Sequence, residues 1–228
     1  MSRSQQFHLH ALIIPVEIAI QAIREYNAGC YKGRRNIDLD HEGYELFQGG
    51  LSDDENEQVE QLRFVAEEYG AVQQRFLPHS IVDEARLVAK NLAPILDEWG
   101  AKVAQSRPLR YHSPDEGVLE LLLRPFTATK RWPVWAAKVL HFLRPDVFPI
   151  LDSRAECALG ISPASNPVSR YARFCSTFRE VLLANEHALA CAREVDKGNS
   201  PSDLKLLDKI LFEMGKGGKG GRCCGGEP

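Results

Sequence analysis

The stretch Arg131 to Ile161, RWPVWAAKVLHFLRPDVFPILDSRAECALGI, constrains this chain more than any other, because it holds the densest apolar run around very few polar side chains. Pro133 suits an early helical position, where its missing N–H would be unsatisfied anyway and its φ is already helical, so a helix is predicted to begin near Trp132. From Val134 to Leu143 every residue is apolar except Lys138 and His141. A helix apolar nearly all round belongs in the interior, and this one is read as the most buried of the fold. Lys138 and His141 are three residues apart, so they share one face with Val134, Trp135 and Phe142 as neighbours, and that stripe meets either solvent or a pocket. Pro145 ends the helix, and Pro149 keeps the apolar connection through Val147, Phe148, Ile150 and Leu151 out of the α region. Asp152 and Ser153 then open the next helix. Ser153 with Glu156 has the spacing of a capping box, and Asp152 could cap the free N–H groups itself, so either register sets a carboxylate beside a positive helix end.

Around this stretch the sequence reads as all-α, a two-lobed helical fold. Residues 1–215 form one helical domain, with the Pro-containing segment Ser106–Pro114 as the boundary between lobes, and 216–228 a flexible Gly/Lys-rich tail. A first helix is expected over Pro15–Asn27, and residues 30–54 are expected to be a long irregular connection whose Lys32, Arg34 and Arg35 could touch an anion. Ser52 with Glu55 suggests the next helix start, with the helix running towards Phe76 until Pro78 stops it. Ser80–Trp99 repeats the pattern, with Pro94 expected to kink or split it. Asp115–Arg124 is a short apolar helix, Val168–Val195 is one long helix or two in sequence, and Ser200–Met214 is the last packed helix, with Leu204, Leu207, Ile210 and Leu211 in helical spacing. No strand-like alternation, internal repeat, Gly-rich phosphate loop or nucleophile elbow occurs.

The net charge is -3, so a nucleic-acid site has to be a local patch. The apolar run near the start is broken by Pro15 and Glu17, so no membrane helix and no leader is expected, and the reading is a cytoplasmic protein. Six cysteines without a C-x-x-C pair suit reduced thiols, and neither a metal cluster nor a cofactor is expected. His8 and His10 lack a third ligand nearby. In the tail, Lys216, Lys219 and Arg222 would add at most weak affinity for a phosphate backbone.

Between Arg124 and Pro145 there is no acidic residue, while Arg124, Lys130, Arg131, Lys138 and Arg144 interleave with Phe126, Trp132 and Trp135. Such a mix suits backbone phosphates and stacked bases. It marks Lys130, Arg131, Trp135, His141, Arg144 and Arg154 as nucleic-acid-binding candidates, and Lys138 and Asp152 as the candidates for chemistry. A carboxylate at Asp152 would stabilise positive charge that builds up in a transition state beside it. At Lys138 the apolar neighbours would desolvate an amine and ease the loss of its proton.

WAAKVLHFLRP (135–145) followed by DVFPILDSR (146–154) resembles the core of the helix-hairpin-helix DNA glycosylase superfamily, and more particularly bacterial proteins with an 8-oxoguanine glycosylase-like fold. The resemblance covers about forty residues and implies DNA as partner, excision of a base, an Asp152 that assists departure of the base, and a lysine amine that attacks the sugar in bifunctional members. That superfamily sets its lysine just after a glycine-rich hairpin turn. The corresponding residues here, TATKRWP (127–133), contain no glycine and offer Lys130 as the nearby amine, which leaves Lys130 and Lys138 both open as the site lysine. Two other readings stand beside this one: a catalytically silent relative that binds nucleic acid or a nucleotide, and a helical scaffold or accessory protein whose central stretch is only core.

Overall fold

The computed structural model describes residues 11–72, 75, 77–105, 107–126, 132–161 and 166–216, with 99–105 and 132 described by backbone alone. Among them the chain is all-α apart from one small hairpin. Helix α1 spans Val16–Ala28. It is followed by the two-residue strands β1 (Cys30–Tyr31) and β2 (Arg34–Arg35), then α2 (Asn36–Leu46). The segment 30–54, expected to be irregular, is therefore a hairpin and a helix. Lys32 and Gly33 both take positive φ, the geometry of a tight two-residue turn between twisted strands. Neither the two-residue strands nor the weakly apolar α2 leaves a periodic signal in the sequence.

Helix α3 (Glu55–Glu67) begins two residues later than expected. Asp54 is its cap, accepting from the N–H groups of Asn56 and Glu57, while Ser52 bonds the side chain of Glu57. It also ends early. Gly70 takes a left-handed φ, and a Cβ there would press on the Tyr31 hydroxyl, so the chain turns before Phe76 and Pro78 can matter. Helix α4 (Ile81–Gln105) runs through Pro94 as one element. Its preceding turns hold Ala85, Val88, Ala89 and Leu92 buried against the core, which offsets the backbone bond that proline removes.

The remaining helices are α5 (Glu116–Leu123), continued by a 3-10 turn over Arg124–Phe126, then α6 (Trp132–Leu143), α7 (Ser153–Ala158), α8 (Pro167–Ala184), α9 (Glu186–Asp196) and α10 (Asp203–Lys216). Helices α8 and α9 are separate because Asn185 leaves the helix. Its buried amide accepts from Ile14 N–H and donates to the carbonyls of Leu12 and Val181, so the break ties down the N-terminal segment. Buried apolar side chains from Ile14 to Leu211 form one contiguous cluster. It includes Leu109 in the 106–114 connection, whose N–H reaches Asp146 O at 2.9 Å.

Every residue of α6 from Trp135 to Phe142 is buried, Leu140 among them, as the sequence pattern requires. Helix α7 packs across α10 so closely that a Cβ on Gly215 would overlap the backbone of Arg154. No helix of the described residues is long and apolar enough to cross a membrane. Cys30, Cys157, Cys175 and Cys191 form no disulfide.

Candidate functional site

The polar stripe of α6 divides into two environments. His141 is fully buried: its Nδ1 lies 2.8 Å from Phe148 O and its Nε2 lies 2.7 Å from the Tyr44 hydroxyl. A carbonyl only accepts, so Nδ1 carries the proton and Nε2 accepts from tyrosine. Burial first, and the charge of Lys205 second, lower this imidazole to about 3 and keep it neutral. Trp135 is 2% exposed, donates Nε1–H to Leu62 O at 3.2 Å and packs edge-on to Phe126. Both residues were expected on a nucleic-acid surface. They are interior, because an aromatic-rich stripe satisfies a core as readily as it stacks a base.

Lys138 points the other way. Its Nζ donates to Tyr69 O at 3.2 Å, lies 5.1 Å from the centre of the Tyr69 ring, and lines a pocket of about 680 Å³. Burial pushes this amine below the ordinary lysine range, and the carboxylates of Asp152 and then Asp208 oppose that only in part.

Asp152 lines the same pocket. It is the N-cap of α7 in extended backbone, with Oδ1 accepting Arg154 N–H at 2.8 Å. The capping box of Ser153 and Glu156 does not form, because Glu156 is buried and paired with Arg170. No described residue hydrogen-bonds the second oxygen of Asp152, so one oxygen holds the helix and the other is left to the pocket.

The basic candidates separate. Arg154 is exposed at the pocket edge, its guanidinium 4.4 Å from the centre of the Phe212 ring. Arg144 pairs with Asp146 at 3.1 Å and borders a different cavity, beside Gly49 to Asp53. Lys130 and Arg131 lie outside the described residues, as do His8, His10, Lys219 and Arg222. Lys32 donates to Glu67 O, Arg34 pairs with Glu42, and Arg35 with Asp38, so the basic start of the 30–54 segment is engaged within the protein. Lys216 pairs with Glu213 at the pocket edge. Among the described residues no group of three or more potential metal ligands occurs.

The largest feature not anticipated from sequence lies beneath this pocket, on α10. Lys205 is fully buried, with Nζ 2.9 Å from Asp40 and 3.1 Å from Asp208. The same amine reaches the hydroxyl oxygens of Tyr69 at 2.7 Å and Tyr26 at 3.2 Å, and both hydroxyls donate onward to Asp40. One turn along, buried Lys209 meets Asp196 at 3.0 Å. Burial works against the charge on Lys205, but Asp40 with the two tyrosines and Asp208 outweighs it and holds the amine well above its usual range. Asp208 and both tyrosines line the pocket that Lys138 and Asp152 share.

A signal for this network was present. Leu204, Leu206, Leu207, Ile210 and Leu211 cover so much of the helix that Lys205, Asp208 and Lys209 have apolar neighbours on both sides. A solvated face would not be flanked that way. The partners on α1, α2 and α9 are far apart in sequence and carry no mark of their own.

No protein-family model matches the chain, and neither the curated proteins nor the solved structures include a significant match to it.

Proposed function

We propose that this protein cleaves N-glycosidic bonds in DNA, removing a base in the manner of the helix-hairpin-helix glycosylases that residues 135–154 resemble. The observation that carries the reading is the convergence of the Lys138 amine and the Asp152 carboxylate on one pocket. A helix serving only as core would gain nothing from an amine at a pocket edge, since burying one costs free energy. In this reading Lys138, its proton held less tightly through burial, is the amine that captures the sugar carbon. Asp152 offsets the positive charge on the sugar as the base departs. Arg154 at the edge pairs with a backbone phosphate, and the exposed side of Phe212 borders the entering nucleotide.

The test is incubation of the purified protein with duplexes that each carry one damaged base, followed by detection of abasic sites or strand cuts and by borohydride trapping of a covalent complex at Lys138. Asp152→Asn retains an oxygen able to cap α7, so stability should fall by no more than about 1 kcal/mol. Cleavage should slow by about a hundredfold or more, the scale of losing one preorganised electrostatic group. Near-normal turnover in Asp152→Asn, or binding without cleavage across the whole panel, would overturn the reading.

A further inference from the structure

The pocket holds a second carboxyl besides Asp152. Asp208 is a buried residue of α10 that nevertheless lines the cavity. Lys205 holds its Oδ2 at 3.1 Å, and no described residue hydrogen-bonds Oδ1, which leaves that oxygen to an occupant of the pocket. The elements around it bring up Lys138 from α6, Asp152 from the start of α7, Asp40 from α2, and the hydroxyls of Tyr26 and Tyr69. Burial raises the carboxyl to about 6; Lys205 pulls it down, while Asp152 and Asp40 add to the rise. A carboxyl in that range is a usable acid near neutral pH, whereas an exposed aspartate is not.

Building on the glycosidic reading above, we propose that Asp208 is the proton donor to the departing base. The bond from the sugar C1′ to the base nitrogen breaks with its electron pair on the base. The base takes the proton of the Asp208 carboxyl and leaves neutral. The sugar cation is captured by the unprotonated amine of Lys138, which forms a C1′–N bond and becomes a charged ammonium. One neutral acid and one neutral amine are converted into one carboxylate and one cation, so atoms and charge balance. The three side chains divide the work: Asp208 serves the leaving group, Lys138 the sugar carbon, and Asp152 the charge between them. Lys205 is a positioning residue, fixing Oδ2 so that Oδ1 faces the cavity.

The assignment separates leaving groups by their need for a proton. A neutral base such as uracil or 8-oxoguanine departs as an anion unless protonated, whereas 7-methylguanine is already cationic and departs neutral without an acid. Single-turnover release from duplexes carrying each base is measured across pH 5 to 9 for the native protein and for Asp208→Asn. Where the native protein releases these bases, the variant should lose about a hundredfold on neutral bases and keep near-native release of 7-methylguanine. Capture by the free Lys138 amine is common to all the bases, so the ratio of the native rate on neutral bases to that on 7-methylguanine should also fall as pH rises above about 6. Equal loss on both kinds of base, or no loss on either, overturns the proposal while leaving the glycosidic reading intact. If Asp208→Asn does not fold, the native pH profiles decide alone, and identical profiles for the neutral and cationic bases overturn it. Absence of any base release by the native protein overturns the glycosidic reading, and the proton-donor role with it.

Discussion

Replacing Lys205 with methionine probes whether the network beneath the pocket is held together by charge. Methionine keeps an unbranched stem of similar length and removes only the amine. That amine has four oxygen partners within 3.2 Å, two of them carboxylates, and neither Lys205 nor Asp40 is exposed to solvent. Taking away one side of a buried pair leaves the other charge uncompensated, which costs about 3–5 kcal/mol. Small domains have a net stability of about 5–15 kcal/mol, so the loss would be a large share of the whole. Urea unfolding followed by circular dichroism should show the midpoint falling with little change in slope, because the surface exposed on unfolding is unchanged. The double variant Lys205→Met with Asp40→Asn should be less destabilised than the sum of the two single variants by about 2 kcal/mol, since each removes the charge that strands the other. A cost for Lys205→Met near about 1 kcal/mol, the scale of an exposed ion pair, or strict additivity in the double variant, would refute the reasoning.

The buried neutral His141 makes stability fall with acid. Its folded value is depressed to about 3 from an ordinary 6.5, so the stability it contributes is complete above 6.5 and is lost as pH falls towards 3. Asp208, raised to about 6, acts in the opposite sense, its contribution being lost as pH rises from the ordinary carboxylate range through 6. The two slopes overlap, so the measurement is a difference: the stability gap between native protein and His141→Gln should narrow by about 2 kcal/mol between pH 7 and pH 5. A constant gap would show that the imidazole takes up its proton as readily in the folded chain as in the unfolded one. Gly215→Ala places a methyl against the backbone of Arg154, where no side chain can yield. Thermal unfolding should report a loss of about 1–3 kcal/mol, and an unchanged midpoint would mean that α7 and α10 separate freely.

Much of the central stretch was legible because its signals are local. Pro133, the run to Leu143 and Pro145 specify α6 to the residue, and an aspartate before an S-x-x-E sequence specifies a cap. Chain identity alone could not choose which residue of a pair serves: Asp152 caps α7 because Glu156 is drawn to Arg170, fourteen positions away. Nor could it divide the polar stripe of α6, where Lys138 meets a pocket and His141 meets Tyr44, ninety-seven positions distant. Trp135 has the composition of a stacking residue, yet its N–H finds a carbonyl of α3 and its ring finds Phe126. Helix periodicity reports which residues share a face, and it does so from sequence alone. Whether a charged residue on that face is solvated or buried depends on counter-charges brought from elsewhere, because a buried amine is tolerable only when oxygen partners surround it. For Lys205 those partners come from α1, α2 and the turn after α3 as well as its own helix, and only the packing of the chain assembles them.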